Sequence, residues 1–133
     1  MEFNHTTPIY VQVIRDIEKK MIQGALSLGD KLPSARELAM MYQINPNTSN
    51  RIYRELELME LCYTKRGLGT FVTEDKNKLL KVRRDMADQV LMEFLGEMKD
   101  LEFTEDEIIN EVLTKLKPNI EGKGEYVCYQ QEM

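Results

Sequence analysis

The sequence predicts a mainly α-helical chain with one small β-hairpin: a head ordered helix, helix, turn, helix, hairpin, followed by two further helices. Three observations predict this. Apolar residues recur at helical spacing in five separate stretches. Four of those stretches begin at cap signatures, either a polar residue before proline or Ser/Thr with Glu three residues on. Gly67 and Gly69 separate two short β-prone runs.

The elements follow in order. Thr7-Pro8 opens the first helix as a capping hydroxyl and a first-turn proline. Tyr10, Val13, Ile14, Ile17 and Met21 share one face, and Gly24 closes the helix. Gly29-Asp30 is a turn, and Pro33 holds Lys31-Leu32 extended. Ser34 and Glu37 form a capping box for a short second helix whose inner face is Leu38, Ala39 and Tyr42. Gln43-Ile44 turns the chain, and Asn45-Pro46 starts a third helix running to about Glu60. Leu61–Lys65 and Thr70–Thr73 are strands joined through Arg66-Gly67-Leu68-Gly69. A long helix begins near Lys76, with Leu79, Val82, Met86, Val90, Phe94 and Met98 as its stripe and Ala87, Leu91 and Leu95 widening it. Thr104 and Glu107 form a second capping box, Ile108, Ile109, Val112, Leu113 and Leu116 follow on one face, and Pro118 stops the helix. An irregular tail is expected from Asn119 to Met133. The pattern divides the chain into residues 1–74, a winged helix-turn-helix, and residues 75–133, a helical segment with that tail.

The totals narrow the class. The 133 residues suit one small domain with an appendage. No apolar run is long enough to span a bilayer, and Met1–Ile9 lacks the pattern of a secretory signal. Cys62 and Cys128 lie far apart and match no metal spacing, so a cytoplasmic protein with reduced thiols and no metal is expected. The net charge of −5 hides an asymmetry: residues 1–73 carry nine Lys and Arg against eight Asp and Glu, whereas residues 74–133 carry nine against fifteen. Attraction to phosphate is local at the scale of the Debye length, so the total neither supports nor opposes nucleic-acid binding.

The third helix has two faces. At 100° per residue Thr48, Ile52, Leu56 and Met59 point one way, toward a core. Asn47, Asn50 and Arg54 point the other way, with Arg51 at their flank. Arg pairs bidentately with guanine and Asn with adenine in the major groove, and Thr48 and Ser49 near the helix N-terminus can reach phosphate. A solvated amphipathic helix would show a similar face. Arg36 opposes the dipole at the start of the second helix, which suggests use on a phosphate or base, although a surface charge reads the same. Lys65 and Arg66 either protect the hairpin edge or lie on a phosphate backbone, with Gly67 and Gly69 allowing close approach.

Several segments resemble GntR-type regulators: Pro8-Ile9-Tyr10-Val11-Gln12, the run from Gly29 to Ala39, Asn45-Pro46-Asn47-Thr48, Ile52 to Glu57, and Arg66 to Val72. The resemblance spans about half the chain, in order. It implies a winged helix binding double-stranded operator DNA as a homodimer, through Ser34, Arg36, Asn47 to Arg51 and the wing from Arg66 to Gly69. Many members carry Arg where this chain has Pro46, which moves base reading toward Asn47, Asn50 and Arg51. The Asn-Pro-Asn-Thr sequence and the short second half resemble the YtrA-type branch, which implies control of a transporter operon; repression at a palindromic operator is expected because a bound dimer can exclude polymerase. Two helices alone cannot bury both their faces, so Leu79, Val82, Met86, Val90, Leu91, Phe94, Ile109, Val112, Leu113 and Leu116 are expected to pair with a second copy rather than to pack on the winged domain.

Catalysis is not expected. His5 is the only histidine and lies in an N-terminus expected to be mobile, Cys62 falls in a strand as a small core residue, and Gly67-Leu68-Gly69 lacks the Lys-Ser/Thr and helix of a phosphate loop. No cofactor is expected. Met86, Met92 and Met98 could line an effector pocket but are read as core packing.

Overall fold

The computed structural model describes residues 1–120, the last four by backbone alone. The elements are α1 (Ile9–Gln23), α2 (Ala35–Tyr42), α3 (Pro46–Leu58), β1 (Cys62–Lys65), β2 (Gly69–Val72), α4 (Lys76–Asp100) and α5 (Glu105–Ile120). The chain forms two compact units, Met1–Met86 and Ala87–Met133, dividing within α4. No helix among the described residues is long and apolar enough to cross a membrane.

The first unit is organised around one core. Val13, Ile14, Ile17 and Met21 of α1 meet Leu38 and Tyr42 of α2, Ile52, Tyr53 and Leu56 of α3, and Leu61, Cys62 and Val72 of the hairpin. The hairpin is antiparallel, with Cys62 opposite Val72 and Lys65 opposite Gly69. Residues 30–32 add a short third rung. Leu32 N–H donates to Thr70 O at 2.7 Å, Val72 N–H donates to Asp30 O at 2.8 Å, and Lys31 bridges Phe71. The extended piece imposed by Pro33 thus covers the free edge of β2.

Local chemistry fixes the helix ends. Ser34 Oγ accepts from Glu37 N–H at 3.1 Å while Ser34 N–H donates to Glu37 Oε1 at 2.9 Å, the expected capping box. Asn45 caps α3 by accepting from Asn47 N–H, with Pro46 in the first turn. At the far end of α3, Glu60 takes φ 60. Glu60 N–H then donates to Glu57 O and Leu61 N–H to Leu56 O, a Schellman closure made without glycine. This closure ends the helix at Leu58 rather than near Glu60, and it leaves Met59, expected in the core, 40% exposed.

Two other expectations are corrected. Pro8, not Thr7, occupies the cap position of α1, and no side chain caps it. Thr7 instead offers its carbonyl to Gln12 Nε2, which also binds Asn4 O, while Asn4 N–H donates to Gln12 Oε1. Buried Gln12 therefore anchors the N-terminal segment around His5, and Phe3 packs against the core. Pro118 does not stop α5, whose backbone stays helical to Ile120. A proline removes one amide donor, and the orphaned carbonyl of Thr114 lies at an exposed residue where water can satisfy it. The expected irregular tail otherwise lies outside the described residues.

In the second unit, α4 and α5 are joined by a turn in which Phe103 N–H donates to Met98 O and Glu102 takes φ 66. Thr104 and Glu107 form the expected capping box, with bonds of 2.9 and 3.2 Å. Phe94 and Met98 face Glu111, Val112, Lys115 and Leu116 across a cleft of about 390 Å³. Ile108 is buried, but Val90 and Ile109 remain 64% and 57% exposed.

Candidate nucleic-acid interface

The candidate site is built from the N-terminal turns of α2 and α3 and the tip of the hairpin. Pro46 and the Asn45 cap set the start of α3, so the next residues project from a helix end whose amides favour an anion. Asn47, Asn50, Arg51 and Arg54 are exposed, as their helical phase predicts. Ser34 and Arg36 are exposed at the start of α2. The Ser34 oxygen is occupied as a cap acceptor, which leaves its proton free to donate outward. Hydrogen bonds from Ser34, first from its backbone amide, hold the Glu37 carboxyl below its usual range and keep the box ionised.

Two tyrosines missing from the expected site organise it. Tyr53 is buried on α3 and donates its hydroxyl to Pro33 O, tying α3 to the entry of α2, where Ser34 and Arg36 stand. Burial pushes the Tyr53 hydroxyl pKa up, so it stays a neutral donor. Tyr10 of α1 lies under Arg51, whose guanidinium carbon is 3.8 Å from the ring centroid. Tyrosine has both an apolar ring and a polar tip, and that dual character was the only available signal.

Ser49 does not belong on the outer surface. It is 0% exposed, on the same side of α3 as Ile52, Tyr53 and Leu56, and its hydroxyl has no partner among the described residues. One turn of helix separates Ser49 from Tyr53, so a buried Tyr53 carries Ser49 inward with it. Thr48 is only half-buried. Since a buried unpaired hydroxyl costs about 1–3 kcal/mol, Ser49→Ala is expected to leave stability unchanged or raise it by about 1 kcal/mol without weakening DNA binding. Urea denaturation checks this, and a clear loss of stability would refute it.

The wing is stiffened by its own side chains. Tyr63 and Phe71 stack across the hairpin at 5.8 Å between centroids, and Lys65 Nζ lies 5.2 Å from the Phe71 ring. Gly67 has φ 81 and Gly69 φ 124, conformations that a side chain would strain. A Cβ on Gly69 would also come within 2.8 Å of Lys31 Cε. Lys65, Arg66 and Gly67 are exposed, while Gly69 is half-buried.

The pairing residues expected in the second half divide. Leu79 and Val82 are half-buried against the core of the first unit. Met86, Phe94 and Leu113 are half-buried, whereas Val90, Leu91, Ile109, Val112 and Leu116 are exposed. Among the described residues no cluster could hold a metal. Cys62 is buried, and burial pushes its thiol up to about 12, which makes it a poor nucleophile.

A head of this architecture, with a polar outer face on α3 and a glycine-tipped hairpin, defines a DNA-binding regulator of transcription rather than an enzyme. Residues 9–72 match the model of the bacterial regulatory proteins of the gntR family. The chain belongs to the GntR family. It is 35% identical to the uncharacterized HTH-type transcriptional regulator YhcF of Bacillus subtilis over 85% of this chain and 93% of that protein. It is 38% identical to the HTH-type transcriptional repressor YtrA of the same organism, over 68% of this chain and 70% of that one. Its fold matches a GntR family transcriptional regulator from Listeria monocytogenes with a TM-score of 0.77 and 39% identity, covering 84% of this chain and 98% of the other. The AraR DNA-binding domain solved in complex with operator ORX1 matches with a TM-score of 0.51 and 27% identity, covering 54% of this chain and 93% of that domain.

Proposed function

We propose that this regulator is a repressor that binds a palindromic operator as a homodimer, and that the operator controls a transporter operon. The observation carrying the reading is the exposed face of α3, where Asn47, Asn50, Arg51 and Arg54 follow a capped, proline-started helix end. In this reading α3 enters the major groove, Asn47, Asn50 and Arg51 read base edges, and Arg54 supports them. Ser34, Arg36, Thr48, Lys65, Arg66 and the main chain at Gly67 and Gly69 hold the phosphates. The similar AraR domain is solved on operator DNA, and the similar YtrA is named a repressor, which supports this use of the head. The exposed apolar side chains at Val90, Leu91, Ile109, Val112 and Leu116 support pairing through the second unit, because a symmetric partner would cover them. Transport as the regulated process rests on the YtrA-type resemblance.

A mobility-shift titration with DNA from upstream of the protein's own gene, run across a salt series, tests the reading. Affinity is expected to fall linearly in log–log form with salt. Arg51→Ala is expected to cost about 1–3 kcal/mol on the operator and much less on unrelated DNA, whereas Arg66→Ala weakens both and lowers the salt slope by about 1. Binding indifferent to salt, or no binding, would instead point to a winged helix that docks a protein.

A further inference from the structure

The contact between α1 and the recognition helix carries an inference about how the site reads DNA. The Arg51 guanidinium lies 3.8 Å from the centroid of the Tyr10 ring, and among the described residues it has no hydrogen bond or ion pair. Tyr10 is itself half-buried against the core, so the ring is a fixed platform. A guanidinium held over a ring by cation–π attraction makes no conventional hydrogen bond to it, so its N–H donors remain for guanine O6 and N7. An unrestrained arginine gives up rotamer freedom when it docks on a base, whereas a stacked one has already given up much of it.

We propose that Tyr10 is a positioning residue for base reading: it holds Arg51 in a presented orientation, and operator specificity depends on that stack. The proposal rests on α3 being the recognition helix. It assigns to α1 a part in specificity that its sequence, an apolar stripe, does not suggest.

The full chain is tested as wild type, Tyr10→Phe, Tyr10→Leu, Arg51→Ala and the Tyr10→Leu/Arg51→Ala double variant, each on operator and on an unrelated duplex of equal length. Phenylalanine keeps the π-face, so Tyr10→Phe is expected to bind within about twofold of wild type. Tyr10→Leu is expected to lose about three- to tenfold on the operator. Its affinity for unrelated DNA and its salt slope should not change, because no phosphate contact is removed. In the Arg51→Ala background the leucine variant should cause no further loss, as coupled residues require. An equal loss in both backgrounds would reduce Tyr10 to scaffold and overturn the proposal, as would unchanged or tighter operator binding by Tyr10→Leu. If Arg51→Ala itself spares the operator, the recognition reading of Arg51 fails, a result seen without any change at Tyr10. Should Tyr10→Leu not fold, proton NMR decides without DNA. Ring current must move the Arg51 side-chain protons upfield in wild type and in Tyr10→Phe, and unshifted protons overturn the stack.

Discussion

Val90→Asp combined with Phe94→Asp is expected to convert a homodimer into monomers and to lower operator affinity by about two to four orders of magnitude. Val90 is 64% exposed within the second unit, so a charge there costs the single chain little. In a paired interface the same charge would be buried without a partner, which is far more expensive. Phe94 lines the apolar cleft shared by α4 and α5, so its replacement removes the aromatic anchor as well. The loss on DNA follows from geometry. Two linked heads bind two half-sites with a high effective concentration, and a single head forfeits that gain. Sedimentation equilibrium and a titration on the operator measure the two effects, with circular dichroism to verify that the helices remain. A variant that stays dimeric places the interface elsewhere.

The largest expected loss of stability comes from Leu56→Ala, at about 2–5 kcal/mol. Leu56 is fully buried, it belongs to the core, and its carbonyl receives the Leu61 amide that closes α3. Truncation leaves a cavity where α3 meets the hairpin. Domains of this size are stable by about 5–15 kcal/mol, so the loss is a large share of the total. Leu58 provides the control. It lies two residues on, is 78% exposed, and its replacement by alanine is expected to change stability by less than about 0.5 kcal/mol. Urea denaturation of both variants, with unchanged slopes, checks the pair. Similar losses from the two would mean that the helix faces are misassigned.

Features set by neighbours in the chain were legible beforehand. The Ser34–Glu37 and Thr104–Glu107 boxes, the Asn45-Pro46 start and the hairpin glycines all depend on residues a few positions apart, and each formed where expected. The outer residues Asn47, Asn50, Arg51 and Arg54 followed from helical phase. Errors arose where tertiary packing outranks pattern. A period that counts Thr48 and Met59 as inward is turned by part of a residue step from the true one, because Tyr53 and Ser49 are the buried pair and both look polar in a sequence. The Tyr10–Arg51 stack depends on how α1 crosses α3, and no local spacing encodes that crossing. The end of α3 was misplaced because its left-handed closing residue is glutamate rather than the usual glycine.

The buried thiol of Cys62 gives the head a built-in clock. It sits in the core, donates to Tyr53 O at 3.9 Å, and has its pKa pushed up to about 12, so an alkylating reagent at neutral pH meets neither access nor thiolate. Its modification must wait until the winged unit opens. When reclosing is faster than the chemistry, the alkylation rate reports the free energy of that opening. Followed at Cys62 by peptide mapping, which separates it from Cys128, that rate would show how far operator DNA tightens the head.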